Sequence, residues 1–365
     1  MKPACRGIPC RGQEQAVCFE GGVPAHSNLK MSFDRITSLY QNFIPMQYKI
    51  PEYSDIERAR QRISARINRT HVLTSSAINE LCGVELYFKC ENFQKTGSFK
   101  FRGATNAILQ LSREEMKQGV GTHSSGNHAA ALALAAAMQN VPAHIVMPKD
   151  SSVVKQRAAE HYQARITYCE PGLDNREEAF RRIEQQTGAR FIHPSSDYNV
   201  ICGQGTAALE MLEEVPGLEA VIAPVGGGGL ISGAAVAARG FSDDIRVYAA
   251  EPQMADDACR SFKQGFLIPV DRPNTIADGL LTSLSPLTFR IISEHLTDVL
   301  TTREDAIIKA MRLIWERMKL VVEPSAAVTL AAILDNRFVF KSKKVGVILS
   351  GGNVDLDHLP FSKRQ

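Results

Sequence analysis

Lys100 sits between Phe99 and Phe101 in the segment ENFQKTGSFKFRGATNAILQL, Glu91 to Leu111. An ordinary surface lysine needs no aromatic neighbour on either side, and at its usual pKa of about 10.4 the amine is a poor nucleophile at neutral pH. The setting points to an amine kept uncharged, the form that condenses with a carbonyl carbon.

A second group is the glycine run Gly226-Gly227-Gly228-Gly229, between the apolar run AVIAPV and the helix pattern LISGAAVAARG. Glycines there let the backbone turn with positive φ and approach a ligand, and a helix N-terminus with free N–H groups attracts an anion such as phosphate. The plain alternative is a flexible turn. No frame supplies the glycines of the dinucleotide fingerprint, and the Gly-Lys-Ser/Thr of a P-loop is absent, so the phosphate belongs to another kind of cofactor. HSSGNHAA, His123 to Ala130, is a third candidate; it either binds a carboxylate through backbone N–H groups or caps a helix. SGGN, Ser350 to Asn353, closes the strand-like VGVIL and is either a tight turn or part of a ligand site at a strand end. In AAEPQMADDA, Glu251, Asp256 and Asp257 suit a hard cation such as Mg²⁺ or Ca²⁺, or are solvated acids on a loop. An aromatic-flanked lysine beside anion-holding turns suggests a phosphorylated carbonyl cofactor joined as a Schiff base, namely pyridoxal phosphate (PLP).

These groups need elements to hold them. The 365 residues are 44% apolar and 22% charged, the balance of a soluble chain long enough for two domains. The formal charge of +3 and the lack of a basic block argue against nucleic acid or a membrane surface as partner. Eight cysteines lie scattered without metal-ligand spacing, no apolar run has the length of a spanning helix, and no secretory leader precedes the first helix pattern, so a cytoplasmic protein with reduced thiols is expected. From YSDIERARQRISARIN onward, helix and strand patterns alternate, the mark of an α/β fold with mostly parallel sheets. The spacing predicts an ill-ordered N-terminal extension over 1–45, with Met31 and Met46 as alternative starts. It places a large domain at 46–112 and 192–360, and a small inserted domain at 113–191.

The motifs KTGSFKFRG, SSGNH, GQGT, PVGGGG, AAEP…ADD, TIADG, WERMKL, EPSAA and LSGGNVD occur in the order seen in the serine racemases and related serine/threonine dehydratases. From about Tyr53 to Asp355 the chain resembles that family. The resemblance implies a tryptophan-synthase-β-like fold of type II, with two open, mostly parallel sheets and helices on both faces. It implies that Lys100 carries the cofactor, with Phe99 packing on its ring, Asn127 bonding its phenolic oxygen and Ser350 facing its pyridine nitrogen. Gly226, Gly227, Gly228 and Gly229 would hold the phosphate. Ser124, Asn127 and His128 would clamp the substrate carboxylate, and Arg176 would meet a second one. Glu251, the Ala255 carbonyl and Asp257 would bind Mg²⁺, Ca²⁺ or Mn²⁺. In the family a serine opposes the lysine across the cofactor; here it is Ser125, where ordinary threonine dehydratases commonly have alanine.

The implied activity is serine racemisation together with ammonia-lyase action on L-serine or L-threo-3-hydroxyaspartate, in a homodimer. The alternatives are a catabolic threonine/serine dehydratase without racemisation, a cysteine synthase, for which the loop SSGNH is the wrong one, and a non-catalytic amino-acid-binding protein. Animal serine racemases have a glutamine of their ATP site where this chain has Ala130, although Asn353 is kept, so activation by ATP is left open. Ser195 replaces an asparagine near the cofactor.

Overall fold

In a computed structural model, the described residues are 49–361 without 125, 150–155, 158, 159 and 271. The expected extension over 1–45 and the opposing Ser125 therefore lie outside the described residues.

The described strands are β1 (Val72–Leu73), β2 (Glu85–Cys90), β3 (Val120–Thr122), β4 (Ala143–Pro148), β5 (Arg165–Cys169), β6 (Arg190–Phe191), β7 (Ala220–Pro224), β8 (Arg246–Pro252), β9 (Asp298–Thr302) and β10 (Lys344–Leu349). They form a six-stranded sheet in the order β1-β2-β10-β7-β8-β9 and a four-stranded sheet in the order β5-β4-β3-β6. All pairings are parallel except β1 with β2. Every residue of β7 is buried, as expected of a parallel strand covered on both faces, whose sequence reads as one apolar run rather than an alternation.

Eight helices matter for the site: α1 (Lys100–Ile108), α2 (Asn127–Ala137), α3 (Leu173–Thr187), α4 (Tyr198–Glu214), α5 (Gly229–Phe241), α6 (Asp257–Gln264), α7 (Glu304–Met318) and α8 (Pro324–Asp335). One face of the larger sheet packs on α7 and α8 through residues such as Ile307, Ile314, Val328 and Ile333. The other packs on α4 and α5 through Leu209, Ile231 and Ala235. A third cluster joins Phe101, Ala104 and Ile108 of α1 to Val120, Leu132 and Ile145, so α1 shares the core of the smaller sheet.

Two glycine crossings set the spacing of the central helices. A Cβ on Gly203 would lie 2.6 Å from Gly103 Cα, and one on Gly205 would lie 2.7 Å from Gly233 O. Only hydrogen fits between these backbones, so α1, α4 and α5 are held in fixed register. Thus the motif GQGT serves helix packing: Gln204 Oε1 accepts the Gly103 N–H at 3.2 Å, and Thr206 Oγ1 lies 3.1 Å from Arg102 Nη1.

Arg102 is fully buried on α1. Its Nε donates to Glu91 at 2.7 Å and its Nη1 and Nη2 to Glu210, each at 2.8 Å, while Lys89 Nζ meets Glu210 at 2.7 Å. Burial opposes the guanidinium charge, but Glu91 and Glu210 outweigh it and raise its pKa. Removing one member leaves buried charge uncompensated. Arg102→Met is expected to lower unfolding free energy by about 3–5 kcal/mol in urea titrations.

Candidate active site

The candidate residues gather at the carboxyl ends of parallel strands, the usual place for ligands in open α/β sheets. Beyond β2 the chain makes two short 3₁₀ turns, Glu91–Phe93 and Lys95–Gly97, before α1 begins at Lys100. This stretch is stitched to the turn after β10. Phe99 N donates to Ser350 O at 3.0 Å, Gly352 N donates to Gly97 O at 2.9 Å, and Ser98 bridges Gly351. A Cβ on Gly97, whose φ is +73°, would overlap the Asn353 side chain. Ser350 is buried, so the end of β10 and the lysine turn form one wall.

Lys100 Nζ donates to Pro194 O at 2.9 Å and lies 5.0 Å from the centre of the Phe99 ring. The residue as a whole keeps partial exposure. Its amine is nonetheless desolvated, which lowers its pKa to about 8 against the opposing pull of the Glu323 carboxylate. At pH 7 about one amine in ten is then uncharged, against about one in 2,500 at the ordinary pKa.

Beyond β7, Gly228 has φ +84° and caps α5. Among the described residues, none accepts a hydrogen bond from the backbone N–H groups of Gly227 to Leu230. Side chains at this turn would collide: a Cβ on Gly229 would be 2.9 Å from Ser195 Cα, one on Gly228 2.7 Å from Thr288 Cβ, and one on Gly227 would overlap Ser195 Oγ. A row of unmet donors at a helix N-terminus, on glycines that bring no side chains of their own, fits a phosphate group.

After β3 come Ser124, whose Oγ accepts the Gly126 N–H at 3.4 Å, and then α2. Asn127 Nδ2 lies 2.9 and 3.1 Å from the two Glu323 oxygens, and Asn353 Nδ2 donates to Asn127 Oδ1 at 2.8 Å and to Thr96 O at 2.8 Å. Ala130 is buried in α2. His128 Nε2 faces Ile192 O at 3.2 Å. A carbonyl only accepts, so the ring proton is on Nε2 and Nδ1 keeps a lone pair. Burial, with Lys100 nearby, drops the pKa of His128 to about 3. The ring thus offers no free N–H to a carboxylate, which leaves the backbone donors of this loop for that task. Arg176 is partly exposed on α3, where its Nε donates to Gly172 O at 3.3 Å; burial and then the Arg176 charge lower the pKa of His123.

Glu251 near the end of β8 and Asp257 at the start of α6 are 1% and 2% exposed, and Ala255 between them in sequence is buried. Glu251 accepts the Cys259 N–H at 2.6 Å and the Ala258 N–H at 3.3 Å, capping α6. Burial raises the pKa of Glu251 well above normal and that of Asp257 to about 6, and Asp257 Oδ2 is buried without a partner. Among the described residues, no group of three or more His, Cys, Asp or Glu side chains could hold a metal ion. Two desolvated carboxylates, one with an orphaned oxygen, are compatible with a cation.

Two features escaped sequence reasoning: Glu323, from the quoted but unassigned EPSAA, and, in the turn after β6, His193 and Pro194, where only the neighbouring Ser195 was singled out. The one signal was a run of polar residues directly after a short strand. Cys82, Cys90, Cys202 and Cys259 are free and buried, and Cys169 is buried as well; none of the described helices is long and apolar enough to cross a membrane.

A desolvated lysine together with a helix N-terminus of unmet N–H donors suits a PLP site, and a family model described as "Pyridoxal-phosphate dependent enzyme" matches residues 63–351. The chain belongs to that family and has the type II fold the motifs implied. Within the family it is similar to the serine racemase of Dictyostelium discoideum, with 51% identity over 309 residues, 84% of this chain and 95% of that one. It is also similar to beta-hydroxyaspartate dehydratase of Paracoccus denitrificans (strain Pd 1222), with 49% identity over 313 residues, 86% of this chain and 99% of that one. The crystal structure of the Dictyostelium racemase matches with a TM-score of 0.80 at 50% identity, covering 84% and 99% of the two chains.

Because only the neutral amine captures an aldehyde, the rate of PLP capture by cofactor-stripped protein, followed by absorbance, should rise with pH to a midpoint near 8. Glu323 favours the charged amine, so Glu323→Gln should move that midpoint lower.

Proposed function

We propose that this enzyme racemises serine and, as an ammonia-lyase, converts L-serine or L-threo-3-hydroxyaspartate to a keto acid and ammonia. The observation that carries this reading is the desolvated Lys100 amine on the wall shared with Ser350. The similarity to a serine racemase and a beta-hydroxyaspartate dehydratase supports the substrates.

When bound, PLP supplies an electron sink that acidifies the substrate Cα–H. Gly226 to Gly229 would hold its phosphate, Phe99 would pack against it and Asn127 would bond its phenolic oxygen. Ser350 would serve its ring nitrogen; a hydroxyl, unlike a carboxylate, would not keep that nitrogen protonated, which would favour elimination over transamination. Backbone donors of Ser124, Asn127 and His128 orient the substrate carboxylate, and Arg176 meets the second carboxylate of hydroxyaspartate. Lys100 moves the α-proton on one face. Ser125 gives or takes it on the other, which inversion requires. Glu251, Asp257 and the Ala255 carbonyl hold Mg²⁺ or a similar cation that steadies the start of α6. The protein is read as a cytoplasmic homodimer with a large domain over 46–112 and 192–360 and a small one over 113–191. Ala130 stands where animal serine racemases have a glutamine of their ATP site while Asn353 is kept, so activation by that nucleotide stays open.

Borohydride reduction followed by peptide mapping should place the coenzyme on Lys100, and Lys100→Ala should abolish both reactions. Ser125→Ala should lose interconversion of D- and L-serine while keeping elimination from L-serine; the opposite split would reverse the two roles. Chelation should lower the thermal midpoint, with Mg²⁺ restoring it, and an unmoved midpoint would remove the cation from the scheme.

A further inference from the structure

The turn His193-Pro194-Ser195-Ser196 has no role in the scheme above, yet it touches both halves of the cofactor site. Its imidazole organises it. His193 Nδ1 receives the backbone N–H of Ser195 at 3.1 Å and of Ser196 at 3.0 Å, with Ser195 Oγ at 3.5 Å. A ring nitrogen that accepts two N–H groups bears a lone pair, so the proton is on Nε2 and the ring is neutral. Burial, His123 and Lys100 all disfavour the charged form, and the pKa falls to about 4. Edge-on contacts hold the ring: its centre is 5.9 Å from that of Phe191 and 6.4 Å from that of His123.

What the turn delivers is specific. Pro194 lacks an N–H, and its carbonyl takes the Lys100 amine at 2.9 Å. Ser195 is 7% exposed and is packed so closely on the glycine turn that a Cβ on Gly229 would lie 2.9 Å from its Cα. The next residue, Asp197, caps α4 by accepting the N–H groups of Asn199 at 2.8 Å and Val200 at 3.0 Å.

We propose that His193 is a positioning residue for Lys100, whose Nδ1 lone pair folds the turn that parks the free lysine amine on the Pro194 carbonyl and seats Ser195 against the glycine loop. This rests on the assignment of Lys100 made above. The part required is an acceptor at one residue for the N–H groups two and three positions on. Asparagine supplies such an acceptor, and an apolar ring does not.

The test compares wild-type, His193→Phe and His193→Asn holoenzymes at a temperature where all are folded, reading the pH dependence of coenzyme absorbance, kcat and KM. His193→Phe keeps a ring and loses the acceptor. It is expected to lower kcat about tenfold, with KM nearly unchanged, and to shift the spectroscopic midpoint. His193→Asn is expected to restore both. Wild-type behaviour of His193→Phe, or equal impairment of the two variants, would overturn the proposal. Should the Phe variant not fold, the Asn variant alone decides, since a tenfold loss of kcat in it would be fatal. A borohydride tag on Lys100 with an unaffected Phe variant would sink this inference alone, whereas a tag elsewhere would sink it together with the assignment of Lys100.

Discussion

A guanidinium sealed inside the protein underlies the geometry of the site. Arg102 binds Glu91 at the end of β2 and Glu210 on α4, and it lies two residues beyond Lys100 on α1. Such a cluster adds little stability over a well-packed apolar core, because desolvating its charges is costly. Its contribution is directional. A planar fork between two fixed carboxylates admits one orientation of α1, whereas greasy contacts at that point would tolerate many. The glycine crossings carry the constraint onward, from α1 to α4 at Gly103 and Gly203, then to α5 at Gly205 and Gly233. The amine-bearing helix and the helix that begins at the glycine turn are therefore parts of one rigid block.

Around that block the electrostatics are arranged by sign. The amine, His128 and His193 are all pushed toward their neutral forms by desolvation, while the glycine turn offers unmet N–H donors. The pocket thus presents dipoles to an anion without a competing protonated imidazole. Glu323 is the counterweight: it pulls the lysine pKa back up and receives the donors of Asn127. Away from this centre, the buried acids Glu251 and Asp257 form a separate region where a positive charge is in short supply.

Much of this was readable from local spacing. Lys100 between aromatic residues and glycines at the junction of an apolar run and a helix are signals contained within a dozen residues, and the alternation of helix and strand patterns sufficed for the α/β class. Pairings across the chain were not readable. The Pro194 carbonyl meets an amine 94 residues earlier, and Glu323 meets Asn127 across 196 residues. Strands β1 and β6 have only two residues each, too few to show a period in the sequence. Helix α4 starts at Tyr198, five residues before the motif GQGT, because Asp197 caps it. The direction of the His128 ring depended on Ile192, which no pattern within SSGNH specifies.

The position of β10 has a consequence for how the protein comes into being. This strand, residues 344–349, lies between β2 and β7 in the middle of the larger sheet, pairing with both. A ribosome must therefore deliver residues 344–349 before the sheet can close, and until then β2 and β7 present unpaired edges of apolar sequence. Nascent chains in this state are the ones that stick to one another or engage chaperones. Closure of this sheet thus waits on a strand made about 250 residues after β2.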